Sequence, residues 1–199
     1  MELLSPSFYA RPCPEVARDL VGRWLRRDEV VLAITEVEAY CGPDDSAAHT
    51  RMGRTARNAP MWGPGGRAYV YLCYGLHTML NVVCGPPGSG CAALIRAASI
   101  VAGEDVVRAR RGGKVGPVLL TGPGKVGAAL GLDVGFTHHP LTEPGGLELG
   151  VGAPPAAILV GPRVGIDYAT PRDRAALLRF AAAGTAWVSA RRTLGPEPP

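Results

Sequence analysis

Cysteine is sparse in this sequence and its spacing is uninformative for pairing: Cys13, Cys41, Cys73, Cys84 and Cys91 are odd in number, and no two form Cys-x-x-Cys. That excludes a disulfide framework and the usual zinc spacings, and leaves buried free thiols as the expectation. Long hydrophobic runs are also missing; no window of the 199 residues is apolar over the length of a membrane span. The start, Met1-Glu2-Leu3-Leu4-Ser5-Pro6, has no basic region followed by an apolar stretch, so no signal peptide and a cytoplasmic location are expected. There is no internal repeat, and low complexity is confined to Gly195-Pro196-Glu197-Pro198-Pro199, a tail expected to fray. His49, His77, His138 and His139 lack the spacing of a zinc protease, and the Pro-Cys-x-x-Cys element of zinc nucleobase deaminases is absent. No Gly-x-Ser-x-Gly elbow occurs either. Neither a metal nor a cofactor is expected.

What is present suffices for one core: 199 residues with 47% hydrophobic content predict a single compact domain. The pattern is mixed. Pro14 suits a first helical turn, Val16, Ala17, Leu20 and Val21 form an apolar stripe, and Gly22 can close that helix. Strands are expected at 24–27 and 30–40, then a long polar loop at 41–66. A hairpin follows, with arms at 69–74 and 76–83 and Gly75 at its turn, and a further strand at 92–98. Glu104 and Asp105 early, and Arg108, Arg110 and Arg111 late, suit the dipole of a short helix ended by Gly112-Gly113. The fold class predicted is therefore α+β, a mostly antiparallel curved β-sheet with flanking helices and a protruding β-hairpin.

The strand at 30–40 carries an oddity. Period-two alternation places Glu36, Glu38 and Tyr40 on the face of Val30, Leu32 and Ile34, with the two carboxylates roughly 6.6 Å apart. Desolvation and mutual repulsion disfavour ionisation there, so a raised pKa or a cationic partner is required. Arg96, alone among small and aliphatic residues, needs an anion in turn, and Glu36 or Glu38 would supply it. Tyr74 stands near the hairpin tip, where a large aromatic exposes apolar surface unless it inserts into something. Gly122-Pro123-Gly124-Lys125-Val126-Gly127 matches G-x-G-x-x-G after a short strand, Leu119-Leu120-Thr121, but Pro123 in the turn and the lack of repeated βαβ units argue against a dinucleotide. Free amides at the helix start together with Lys125 make a phosphate seat instead. The net charge of +4 is modest, but arginines cluster at 51, 54, 57 and 67. Paired-carboxylate hydrolysis of a glycosidic bond is compatible with these residues.

Taken in order, the motifs resemble the alkyladenine (3-methyladenine) DNA glycosylases: 34–40, Gly42-Pro43-Asp44-Asp45, Ala47-Ala48-His49, Arg54-Thr55, Arg57-Asn58, Tyr69-Val70-Tyr71, Tyr74-Gly75, Asn81, Leu94-Ile95-Arg96-Ala97, 122–125, Arg163-Val164-Gly165-Ile166, Arg179-Phe180 and Val188-Ser189. The resemblance implies a monomeric, nucleoid-associated enzyme of base excision repair that acts on double-stranded DNA containing damaged purines. Glu38 would be the base that activates water, with Arg96 beside it. Tyr40, His49 and Tyr71 would sandwich the flipped base, and Asn81 would crowd the amino group of guanine. Tyr74 would fill the gap in the duplex, while Arg54, Arg57 and Lys125 would grip phosphates. Glu36 acquires no role by this resemblance. A hydrolase of free nucleosides or glycosides and a non-catalytic DNA-binding module are the alternatives.

Overall fold

The computed structural model describes residues 1–198. Helices α1 (Pro6–Tyr9) and α2 (Cys13–Asp19) precede a hairpin of β1 (Trp24–Arg27) and β2 (Val30–Cys41). After a long loop come β3 (Ala68–Cys73), β4 (His77–Cys84) and β5 (Cys91–Ala102), then α3 (Glu104–Arg110) and α4 (Pro123–Ala129). Short elements complete the chain: β6 (Leu147–Gly150), β7 (Ile158–Gly161), α5 (Pro171–Ala175), β8 (Arg179–Ala182) and β9 (Gly195–Pro196). One antiparallel sheet runs β3-β4-β5-β2-β8-β7-β9, with β1 joining β2 to β6. The expected α+β domain, with its antiparallel sheet and few helices, is thus the one observed.

The first hairpin turns on Asp28, at φ 53°, a conformation that Asp tolerates because its short side chain bonds locally. The stripe Val16, Ala17, Leu20 and Val21 is buried, and Gly22 at φ 92° lets the chain leave α2 for β1. These side chains pack with Leu25, Leu32, Ile34, Ile95 and Leu149 in the main core. All five cysteines are free, and Cys13, Cys84 and Cys91 are buried.

Three expectations need correction. First, the carboxylates of β2 do not share the face of Leu32 and Ile34. The register against β5 slips between Ile34 and Glu36 and again between Glu36 and Val37. The main core accordingly takes Val30, Leu32 and Ile34 before the slip, and Val37 and Ala39 after it. A bulge inserts an unpaired residue and changes the phase of the alternation, so Glu36, Glu38 and Tyr40 turn to the opposite face. Second, 119–121 is not a strand. Pro117–Leu119 forms a 3₁₀ turn, favoured by proline in its first position, and Thr121 makes only an isolated bridge to Ala97. Third, the tail is not free: Gly195 and Pro196 pair with Val160 and Leu159, and Glu197 meets Arg18 at 2.8 Å. Pro199 lies outside the described residues.

The glycine motif has a packing explanation. A Cβ on Gly124 would lie 2.8 Å from the Cβ of His77, and one on Gly127 would lie 2.2 Å from the carbonyl oxygen of Thr78. No side chain fits between α4 and β4 there, so the glycines permit close helix-on-strand contact. That contact braces the hairpin near its turn, where His77 pairs with Cys73 and Thr78 with Leu72.

Candidate active site

Directly opposed residues of neighbouring strands share a face. One such row crosses the sheet as Tyr69, Asn81, Leu94, Glu38 and Arg179, from β3 to β8. Two residues from it on the same face, on opposite sides of the row, lie Tyr71 on β3 and Tyr40 on β2. The bulge that re-aims β2 therefore puts the acid-bearing stretch of the strand in line with the tyrosines of the hairpin. Above this face opens a cleft of about 530 Å³, bounded by Tyr40, His49, Tyr71, Asn81, Arg96 and Tyr168.

Glu38 lies beneath the cleft, fully buried. Its Oε1 accepts from the Val164 backbone N–H at 2.7 Å, and its Oε2 accepts from the Tyr40 hydroxyl at 3.0 Å and from Arg96 Nη1 at 3.3 Å. Burial is the dominant influence and raises the Glu38 pKa, while the Arg96 charge, the Val164 amide and the Tyr40 hydroxyl pull against it. The Tyr40 phenol is pushed up, first by burial and then by the Glu38 charge, which keeps it protonated and donating.

Glu36 is equally buried but differently held. Its Oε1 takes Arg179 Nη1 at 2.9 Å and the Ser189 hydroxyl at 3.0 Å, and its Oε2 takes the Ser189 backbone N–H at 2.6 Å. Arg96 joins the two acids, with Nε 3.3 Å from Glu36 Oε1 and Nη1 within the same distance of Glu38. Arg96 thus pairs with both carboxylates the sequence offered it. Arg179, with no exposed surface, also donates to the carbonyl of Pro162 at 2.9 Å and to the Thr193 hydroxyl at 2.5 Å. Two carboxylates and two guanidiniums therefore balance in one buried network, whose desolvation is offset by pairing and which becomes far more costly if one member is lost.

The cleft walls are aromatic. The His49 ring centroid lies 4.6 Å from that of Tyr71, edge on, and its Nδ1 is 2.9 Å from the Tyr69 hydroxyl. Burial, reinforced by the charges of Arg57 and Arg51, lowers the His49 pKa to about 4, so the imidazole is neutral at pH 7. The loop that carries His49 is clipped by Asn58, whose Nδ2 donates to the carbonyls of His49 and Gly53 at 2.9 Å each. Asn81 Nδ2 donates to the Tyr69 carbonyl at 3.1 Å, which fixes its amide at the cleft floor. Tyr74 stands at the hairpin tip with φ 52° and 92% of its surface exposed, next to the exposed Leu76.

The structure therefore gathers Glu38, Arg96, Tyr40, His49, Tyr71 and Asn81 at one cleft, with Tyr74 and Arg57 at its edge; Arg57 lies 5.2 Å over the Tyr71 ring. Arg54 and Lys125 do not line it. Lys125 sits on α4, its pKa lowered by burial and then by the charges of Arg111 and Lys114. Other contributors had no side-chain signal. Val164 acts through its backbone, and Tyr168, whose hydroxyl donates to the Ala47 carbonyl at 2.8 Å, closes the mouth from a loop of irregular pattern. Among the described residues, no group of three His, Cys, Asp or Glu could hold a metal ion, and no helix is long and apolar enough to cross a membrane.

The family model described as Methylpurine-DNA glycosylase (MPG) matches residues 7–186. The chain belongs to the methylpurine-DNA glycosylase family. Among its relatives, a putative 3-methyladenine DNA glycosylase of Nitrosococcus oceani is 59% identical over 98% of each chain. The DNA-3-methyladenine glycosylase of Arabidopsis thaliana is 56% identical over 98% of this chain and 78% of its own length. A putative 3-methyladenine DNA glycosylase of Corynebacterium glutamicum is 43% identical over 94% of this chain. As a member of the methylpurine-DNA glycosylase family, the protein is a DNA N-glycosylase, a hydrolase of N-glycosyl bonds and an enzyme of DNA repair.

Proposed function

We propose that this glycosylase, acting as a monomer, excises alkylated or deaminated purines from duplex DNA, 3-methyladenine foremost and hypoxanthine or ethenoadenine as neutral counterparts. The observation that carries the reading is a buried carboxylate, Glu38, held by Arg96, Tyr40 and the Val164 amide at the bottom of an aromatic cleft. The damaged nucleotide rotates out of the duplex into that cleft, where its base stacks among Tyr40, His49 and Tyr71. Ring faces attract a base made cationic by alkylation, and a neutral His49 adds no opposing charge. Glu38 deprotonates a water that attacks the sugar carbon, and its charge stabilises the oxocarbenium-like transition state. The C1′–N bond breaks, its electrons leave with the base, and an abasic site remains. A cationic leaving base needs no acid; no lysine is placed for strand cleavage, so the enzyme is monofunctional. Asn81 crowds the amino group of guanine, and Arg54, Arg57 and Lys125 hold phosphates.

The test is base release from a lesion-containing duplex, compared with the same lesion as a free nucleoside. Release from the duplex and none from the nucleoside is expected; comparable turnover of the nucleoside would replace this reading with a nucleoside hydrolase, and no release from either with a binding module.

The hairpin tip makes a separate prediction. Tyr74 is bulky and exposed, with a second exposed apolar side chain, Leu76, in the same turn, as suits a wedge that fills the gap left by a flipped nucleotide. Tyr74→Ala should lower kcat/KM on duplex by about tenfold, the loss of one stacking contact, and on single strands by less than half as much. Equal losses on both substrates would remove the wedge from the mechanism.

A further inference from the structure

Arg163 has no part in the chemistry above, yet its side chain is wholly buried. Nη1 donates to the Ala39 carbonyl at 2.9 Å and to Asp45 Oδ2 at 2.5 Å, and Nη2 donates to Asp45 Oδ1 at 2.9 Å and to the Asp173 carbonyl at 3.3 Å. Nε has no hydrogen-bond partner. The guanidinium carbon instead lies 4.8 Å from the centroid of the Tyr40 ring. Tyr40 lines the cleft and Arg163 does not, so the ring stands between this cation and the space a base would occupy. Asp45 is fixed in its turn, accepting from the backbone N–H groups of Cys41 and Ala47 at 3.0 Å each.

A cation on one face of an aromatic ring uses the same quadrupole that would attract a cation to the other face. The two charges, roughly 8 Å apart across the ring, also repel each other through a poorly screening interior. Asp45, paired with both terminal nitrogens of Arg163, cancels part of that repulsion. We propose that Arg163 is a positioning residue that sets lesion selectivity: held against the back of Tyr40, it weakens the pocket's attraction for cationic purines and so admits neutral ones. The inference rests on the reading of Tyr40 as a base-stacking wall.

The readout is the ratio of kcat/KM for a cationic lesion, 3-methyladenine, to that for a neutral one, hypoxanthine. Arg163→Gln should raise the ratio about fivefold, as removal of the opposing cation requires. Asp45→Asn, which leaves the Arg163 charge uncompensated, should lower it by a similar factor. A purely structural role would loosen the pocket in both variants and move both ratios the same way or not at all, and either result would overturn the proposal. Each ratio is taken on one preparation, so partial unfolding cancels, and if one variant fails to fold the sign of the other's shift decides. Tyr40→Leu separates the underlying reading: wild-type base release by that variant would mean that Tyr40 does not stack, whereas unmoved ratios beside a disabled Tyr40→Leu would overturn only the role of Arg163.

Discussion

Glu38→Gln should bind a lesion duplex as the wild type does and release base about 10³-fold more slowly, because it loses both the acceptor for the water proton and the charge facing the sugar. Glutamine fits the same space; its carbonyl oxygen can still accept from the Val164 amide, and the Tyr40 hydroxyl can turn to accept from its amide nitrogen, so the pocket should persist. Single-turnover base release together with a binding isotherm would check this, and near-wild-type release would exclude Glu38 as the base. The pH dependence sharpens the point. Burial holds the Glu38 pKa above the ordinary 4.5, and the base works only when ionised. The wild-type rate should therefore fall about tenfold per pH unit below that raised value, while the residual rate of Glu38→Gln stays flat. His49, with its pKa at about 4, is neutral above that pH and adds nothing to the fall there. Stability responds with the opposite sign. A pKa raised by folding means that the stabilising contribution of protonated Glu38 is complete below its unfolded value and disappears as pH rises through the folded one. At neutral pH the variant should thus resist urea at least as well as the wild type, which would identify the carboxylate as kept for catalysis at the expense of stability.

The second large effect is on folding. Arg179→Met should destabilise the protein by about 3–5 kcal/mol, since it strips a buried carboxylate, Glu36, of its nearest guanidinium and leaves the carbonyl of Pro162 without its donor. Arg96 would remain at 3.3 Å, close enough to soften the loss but drawn away from Glu38. Base release should therefore fall along with stability. Adding Glu36→Gln to Arg179→Met should recover part of the stability, because it removes the uncompensated charge. A urea midpoint for each of the three variants measures the coupling, and simple additivity would mean that the Glu36–Arg179 pair is no energetic unit.

These two predictions concern neighbouring acids that look alike in the sequence and are not alike in the structure. Both are fully buried and both touch Arg96. Glu36 is closed in by Arg179 and by two donors of Ser189, whereas the donors to Glu38 are residues that line the cleft, Tyr40, Arg96 and Val164. Arg179 and Ser189 stand more than 140 residues beyond Glu36 in the chain, a distance at which no periodicity pairs them. The G-x-G-x-x-G motif shows the reverse case: a pattern that is visible in the sequence, but whose cause, the close approach of α4 to β4, is visible only in three dimensions.

Strands and helices with strong local signals were legible in the sequence: the apolar stripe of α2, the β1–β2 turn at Asp28, the hairpin around Gly75, and β5 with its lone arginine. The sequence also marked Glu36, Glu38 and Arg96 as charges that need partners in apolar surroundings, whereas tyrosines in strands pack as readily as they bind and acquired a role only through the family resemblance. The four-residue strands β6, β7 and β8 were beyond it, since so short a run has no period to read and exists only through pairing with distant partners. So was the face on which Glu38 stands. Alternation along β2 assigned the carboxylates to the side of Leu32 and Ile34, and the register slip against β5 reversed that assignment. A bulge is a relation between two strands, so only the tertiary structure could decide that the acids turn away from the core and toward the cleft.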